Sequence, residues 1–218
     1  MSIAVLNRSL HFPEARLANA DGLVAIGGDL SVERLLLAYR SGVFPWTVDP
    51  ISWWSPDPRA IVELDQLHVP GSLKKILRKE VFQVTVDRAF EQVIKNCAAR
   101  GPGRADTWIT KEFVEAYSRL HEAGHAHSLE CWQGRELAGG IYGVAMGGFF
   151  AGESMFHRAD NASKVALCHL VQHLRERDFE LFDIQMLTPV TKQMGGRLIS
   201  RERYLERLAR AVEKRCGF

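Results

Sequence analysis

No apolar run in the 218-residue chain approaches the roughly 20 residues of a membrane span. Its opening, "MSIAVLNRSLHFPEARL", lacks the long apolar core of a secretory leader. These two absences predict a soluble, cytoplasmic protein. Cysteine is also sparse: Cys97, Cys131, Cys168 and Cys216 lie far apart with no C-x-x-C pair. That spacing excludes a zinc ribbon and fits buried reduced thiols better than a disulfide framework. Net charge is short too, +2 with a pI near 8.4, so a polyanion would have to be met by a local patch rather than a global field. Internal repeats and low-complexity tracts are missing.

One metal signature is present and fails on context. "HEAGH", His121 to His125, matches the H-E-x-x-H pattern of zinc proteases, which works only inside a helix. Here Gly124 follows an amphipathic run, "KEFVEAYSRLHEAG", and Gly at such a point terminates a helix. A capped helix followed by the strand "AHSLECW" is expected, with the two imidazoles pointing in unrelated directions.

What the chain does have is core: 46% of its residues are hydrophobic. Ser31 is a credible N-cap for a short helix through Arg40, with Glu33 in its first turn and Gly42 beyond its end. Pro45, Pro50, Pro56 and Pro58 then keep the chain extended or turning until "AIVEL", which alternates like a strand. A boundary near residue 60 is therefore expected, with a small N-terminal domain over 1–60 and a second domain over 61–218. In the latter the periodicity reads helix "SLKKILRK", strand "VFQVTV", helix "AFEQVIKNCAA" and a helix over 110–123. A three-strand meander, "HSLECWQ", "ELAGGIYGVAMG" and "GFFAGESMFH", follows. The helix "NASKVALCHLVQHLRERD" and a returning strand, "FELFDIQML", complete it. This order predicts an α/β (α+β) fold with a mixed sheet, similar to the acetyltransferase-like (GNAT-like) class. By that analogy the chain could be a coenzyme A-dependent N-acetyltransferase. Such an enzyme would be expected to offer a glycine-rich turn at the start of the long helix to hold pyrophosphate, and "HRADNASK" stands there instead.

Four features carry potential chemistry. "FPW…ISWWSPDPR" places three tryptophans in nine residues, either as a small-domain core or, for Trp46, as a stacking platform for a nucleobase. "SLKKILRK" sets Lys74, Lys75, Arg78 and Lys79 on one helix face, a phosphate footprint or simply a solvated surface that Arg100 and Arg104 could extend. Glu153 sits on an apolar strand in "GESMF", beside Gly152, which leaves room for close approach. A carboxylate there must be paired, with Lys164 the obvious local partner, or serve a ligand ammonium. "FDIQM" puts Asp183 and Gln185 on one strand face, which faces either solvent or a site.

Taken together, "GLVAIGGDLSVERLLLAYRSGVFPW", "WWSPDPRA", "TWIT", "EAYSRLHEAGHAHSLE", "GGIYGVA", "GESMF", "NASK" and "DIQ" closely resemble the leucyl/phenylalanyl-tRNA–protein transferase family from about residue 20 to 205. The resemblance implies transfer of Leu or Phe from aminoacyl-tRNA to proteins beginning with Arg or Lys, marking them for N-end-rule degradation. It implies no cofactor. Residue by residue it implies Trp46 and Trp108 for the terminal adenosine, and Glu153, Asp183 and Gln185 at the reacting centre. Tyr39 and Tyr117 would lie nearby, and Ile141, Phe150, Met155, Leu167 and Leu170 would line an apolar pocket. Asp183 is expected to fix the Gln185 amide and help the acceptor ammonium shed its proton. The chain departs from the family at "TPVTKQMGG", where members usually carry His at the position of Val190 and Ser at that of Gln193. It departs again at Ile184, usually Cys. An RNA-binding module without catalysis is a third reading.

Overall fold

Two sheets share one apolar layer. The computed structural model describes residues 3–99 and 107–218. Strands β1 (Ala4–Leu6) and β2 (Leu23–Gly27) precede helix α1 (Val32–Arg40), and the hairpin β3 (Phe44–Val48) and β4 (Ile51–Trp54) closes a four-stranded sheet of order β1-β2-β4-β3. From the sequence the prolines were expected only to keep the chain extended or turning where β3 and β4 lie, with no strand assigned. The prolines mislead because Pro45 sits on an edge strand, where its missing N–H costs no ladder bond. Helix α1 forms as expected: Ser31 Oγ accepts from Arg34 N, and Gly42 takes φ +77 just past the end.

The chain then enters a larger sheet with β5 (Arg59–Val62), α2 (Gly71–Arg78), β6 (Gln83–Val86), α3 (Phe90–Ala98) and α4 (Lys111–Glu122). The meander β7 (Ala126–Gln133), β8 (Glu136–Met146) and β9 (Phe149–His157) follows, and α5 (Ala162–Glu176) carries the chain across to β10 (Leu181–Gln185), parallel to β9. A tail unexpected from the sequence, α6 (Pro189–Gln193), β11 (Gly196–Ile199) and α7 (Arg201–Ala211), completes the seven-stranded order β11-β5-β10-β9-β8-β7-β6. Helix α4 ends at Glu122, Gly124 adopts φ +78, and His121 Nδ1 bonds Ala126 O at 2.8 Å, so the H-E-x-x-H pattern is split by a helix terminus. No helix among the described residues is long and apolar enough to cross a membrane. Burial pushes the thiols of Cys131 and Cys168 up to about 12 and about 11.

Both faces of the large sheet are covered, which explains why β8 reads as a continuous apolar run rather than an alternating one. One face packs with α1, α3, α4, α7 and the small sheet around Tyr39, Phe113, Tyr117 and Tyr204. The other packs with α2 and α5 around Phe150, Leu167, Leu170 and Phe182. Strand β9 shows the alternation and its interruption. Phe149 and Ala151 enter the first core and Phe150 the second, but further on Met155 packs on the second and Phe156 on the first. The phase has slipped by one residue. The slip falls at Glu153, because Tyr142 pairs with Ser154 and Gly143 with Gly152, leaving Glu153 without a cross-strand partner.

Candidate active site

Strands β9 and β10 pair only from Leu181–Phe149 to Asp183–Ala151; beyond that they part, and the gap between their carboxyl ends opens a cavity of about 330 Å³. Gly152, Glu153, Ser154 and Met155 line it from one strand, and Phe182, Ile184, Gln185 and Met186 from the other. Ile141 and Leu167 contribute from β8 and α5. Phe44, Pro45 and Trp46 close it from the small sheet, and Trp108 from the segment before α4. A Cβ on Gly152 would meet the Phe182 ring at 2.9 Å, so glycine is what keeps these two walls close.

Three β-bulges converge here. Glu153 is the extra residue of β9; Ile184 is the extra residue of β10 against β5, where Asp183 pairs with Ile61 and Gln185 with Ala60; Trp46 is the extra residue of β3 against β4. A bulge re-aims a side chain that regular pleating would bury or expose. Gln185 also adopts φ +51, a left-handed conformation that costs a non-glycine residue about 1–2 kcal/mol and persists only where neighbours enforce it.

Two polar assemblies flank that turn. In the first, Asp183 accepts from Arg59 Nε at 2.9 Å and Nη2 at 2.6 Å, from Tyr204 OH at 3.0 Å and from the backbone N–H of Gln185 at 2.9 Å. Arg59 and Asp183 are essentially inaccessible, and Arg59 also donates to Gly42 O and lies over the rings of Phe44 and Tyr204, 4.7 and 4.4 Å from their centroids. In the second, Glu153 Oε2 accepts from Tyr117 OH at 3.0 Å and Oε1 from Gln185 Nε2 at 2.9 Å. With the Tyr117 proton committed to Glu153, Tyr39 OH donates to Tyr117 across 2.5 Å. Burial pushes Glu153 up to about 7; the two phenols, Tyr39 behind and Tyr117 in contact, pull the other way, nearby Asp183 adds to the rise and Arg59 opposes it. Burial, reinforced by the adjacent Glu153, lifts both phenols well above their ordinary range, so they stay protonated as donors.

The structure thus brings Trp46, Trp108, Glu153, Gln185, Ile141, Met155 and Leu167 to one cavity. Tyr39 and Tyr117 stand behind Glu153 rather than on the wall, and Phe150 and Leu170 lie in the core beneath, with Phe150 edge-on to Phe182 at 5.8 Å. Asp183 is closed off from the cavity, and what it holds is the backbone of Gln185, not the side-chain amide. The expected pairing of Glu153 with Lys164 does not form: Glu153 faces Tyr117 on α4, whereas Lys164 is on α5 on the opposite side of the sheet. Trp46 lies within a strand, not in a loop, and Trp53 is core, its Nε1 donating to Gly27 O. Lys74, Lys75, Arg78 and Lys79 are all exposed along α2, and no ion pair involves them among the described residues; Arg100 and Arg104 lie outside the described residues. The "TPVTKQMGG" segment forms α6, whose Thr188 and Thr191 reach the cavity while Val190 packs on the core around Phe182. A reciprocal capping box between the two threonines ties up their hydroxyls.

Sequence reading missed Arg59 and Tyr204. Arg59 stood at the end of the "WWSPDPRA" stretch and at the head of the "AIVEL" strand, and an arginine there is ordinarily exposed.

A small aromatic-rimmed cavity that joins an apolar wall to a carboxylate–amide pair suits transfer of an acyl group carried on a large polar donor. Comparison with known proteins resolves which kind. The family model described as leucyl/phenylalanyl-tRNA protein transferase matches residues 61–209, and the model of that family's N-terminal domain matches residues 28–57. A leucyl/phenylalanyl-tRNA–protein transferase of Syntrophobacter fumaroxidans is 53% identical, the alignment covering 97% of this chain and 92% of the relative. One from Anaeromyxobacter sp. (strain Fw109-5) is 50% identical over 98% of this chain and 92% of the relative. The chain belongs to the leucyl/phenylalanyl-tRNA–protein transferase family. Among solved structures, L-PGS from Bacillus licheniformis aligns at a TM-score of 0.45 and 15% identity, over 72% of this chain and 51% of that one.

Proposed function

We propose that this chain transfers Leu or Phe from the 3′ end of aminoacyl-tRNA to the N-terminal Arg or Lys of acceptor proteins in the cytoplasm, marking them for N-end-rule degradation. The observation that carries the reading, beside family membership, is the single cavity on which Trp46, Trp108, Glu153 and Gln185 meet. Trp46 and Trp108 offer stacking faces for the terminal adenosine. Ile141, Met155, Leu167, Phe182 and Ile184 take the apolar side chain, whose preference over polar ones follows from burial, and a Met in the wall lets it accept two shapes. Lys74, Lys75, Arg78 and Lys79 would track the tRNA backbone. We read 1–60 as a small N-terminal domain and 61–218 as an acetyltransferase-like domain, supported by the meander β7–β9, the crossover α5 and the gap between β9 and β10.

An ester-linked aminoacyl group is already activated. The acceptor's neutral amine adds to the carbonyl carbon, leaving its nitrogen positively charged; as the tetrahedral oxyanion collapses the bond to the ribose 3′ oxygen breaks, and the nitrogen's surplus proton passes to that oxygen, which leaves as a hydroxyl. With an α-amino pKa near 8, about a tenth to a fifth of acceptor termini are neutral at pH 7, so alignment matters more than basicity. Glu153 receives the donor's free ammonium with the lone pairs that Tyr117 and Gln185 leave open. Its carboxylate also fixes Gln185 by Nε2, which turns Gln185 Oε1 toward the incoming amine as an acceptor of its N–H. An amide oxygen is too weakly basic to keep a proton near neutrality, so Gln185 orients rather than deprotonates. Asp183, enclosed by four donors, supports the turn beneath.

The test is transfer of labelled Leu from charged tRNA to a peptide beginning with Arg. Acetyl transfer from acetyl-coenzyme A instead, or binding of RNA without turnover, would replace this reading by the alternatives. If Gln185→Glu kept full kcat with an unchanged pH profile, orientation by the amide would be the wrong idea.

A further inference from the structure

We propose that Arg59 is a positioning residue for the transfer reaction, acting through Asp183 on the backbone of Gln185; the inference rests on the reading of Gln185 given above. Gln185 departs from β geometry at the one point where its amide must swing to Glu153, and φ +51 has to be enforced from outside. The enforcing bond is Asp183 Oδ1 to Gln185 N, 2.9 Å, within a two-residue loop of chain. A carboxylate holds such a bond in one orientation only if its own plane is fixed, and Arg59 fixes it with a two-pronged contact, Nε to Oδ1 and Nη2 to Oδ2.

Arg59 is itself immobilised from every side. Its guanidinium lies over the rings of both Phe44 and Tyr204, Nη1 donates to Gly42 O at 3.3 Å, and Tyr204 OH reaches the same Asp183 oxygen as Nη2. Phe44 lines the cavity two residues before Trp46, so the same cation touches the strand that carries the aromatic shelf. Had the pair only neutralised charge, one contact would suffice; the fork, the stacking and the second donor from α7 specify direction as well. Lysine cannot reproduce this, because its single ammonium lacks the planar fork and the stacking surface.

The experiment is a double-mutant cycle on the full chain, with kcat and KM measured for labelled Leu-tRNA and an Arg-initiated peptide, and the folded fraction checked by thermal melting. Arg59→Lys is expected to lower kcat of the folded enzyme by about tenfold or more, with KM for aminoacyl-tRNA changed less than about threefold. In a Gln185→Ala background the same change should cost less than about twofold, because the group it positions is gone. Equal losses of kcat in both backgrounds, or no loss in either, would overturn the proposal, since a purely structural role lowers stability regardless of Gln185. A Gln185→Ala variant with full kcat would instead defeat the role given to Gln185. If Arg59→Lys does not fold, Tyr204→Phe, which removes one donor to Asp183 and keeps the ring beside Arg59, carries the same test with the same criterion.

Discussion

The two carboxylates beside the Gln185 turn differ in nearly everything but charge. Asp183 has a bidentate cation, a phenol and a backbone N–H, is closed to the cavity, and has no capacity left over. Glu153 has no cation in contact, only a phenol and an amide, and opens onto the cavity. A buried carboxylate matched by a guanidinium is a structural part whose removal strands the other charge. One held by neutral donors keeps lone pairs to spare, and its raised affinity for protons marks a buried charge that still lacks a cation, which a ligand's ammonium could supply. Environment, not residue type, sets the two carboxylates apart.

The comparison can be broken first at its structural end. Asp183→Ala leaves Arg59 buried and unpaired and should cost about 3–5 kcal/mol in urea unfolding, whereas Glu153→Gln should change stability by no more than about 1 kcal/mol. Replacing both partners, Arg59→Met with Asp183→Leu, should recover most of that loss without recovering turnover. On the cavity side, Trp46→Ala and Trp108→Ala should each weaken aminoacyl-tRNA binding by about 1–3 kcal/mol, read as KM or Kd, while leaving the melting temperature nearly unchanged. Equal melting losses at Trp46 and Trp53 would erase the distinction between shelf and core.

Glu153→Gln should raise KM for aminoacyl-tRNA by about tenfold. It should also remove a pH signature. The folded protein keeps the Glu153 proton up to about 7, while the unfolded chain releases it near the ordinary carboxylate value. Between those values the folded state binds more protons, so the stability contributed by this group falls as pH rises through the window, and that fall should vanish in the variant. In wild type kcat/KM should rise through about pH 7 as Glu153 ionises; the variant should retain only the rise near 8 that belongs to the acceptor amine. The smallest effect lies outside both regions: Lys74→Glu with Lys75→Glu should weaken tRNA binding by about 1–2 kcal/mol and flatten its salt dependence, leaving transfer from a minimal aminoacyl-adenosine donor untouched.

Much of this was legible in the sequence, and the reasons differ by element. The meander, α5 and β10 announce themselves by period and length, and the position of Glu153 on an apolar strand already demands a partner. Which partner could not be read, since Tyr117 is 36 residues away in sequence and Lys164 is near at hand. Bulges are invisible to strict alternation, so the turn at Gln185, the phase slip at Glu153 and the strand beneath Trp46 were all hidden. Arg59 was missed because single-sequence reading assigns charged residues to the surface, and Tyr204 because the helix that carries it was not anticipated.

The most direct test of the account is the affinity of a non-hydrolysable mimic of the charged RNA end, phenylalanine amide-linked to the 3′ position of adenosine, measured by calorimetry on wild type and Glu153→Gln at pH 8. The account predicts binding that competes with charged tRNA and weakens about tenfold in the variant, because the mimic's ammonium loses its carboxylate. Equal affinity in the two proteins would contradict it.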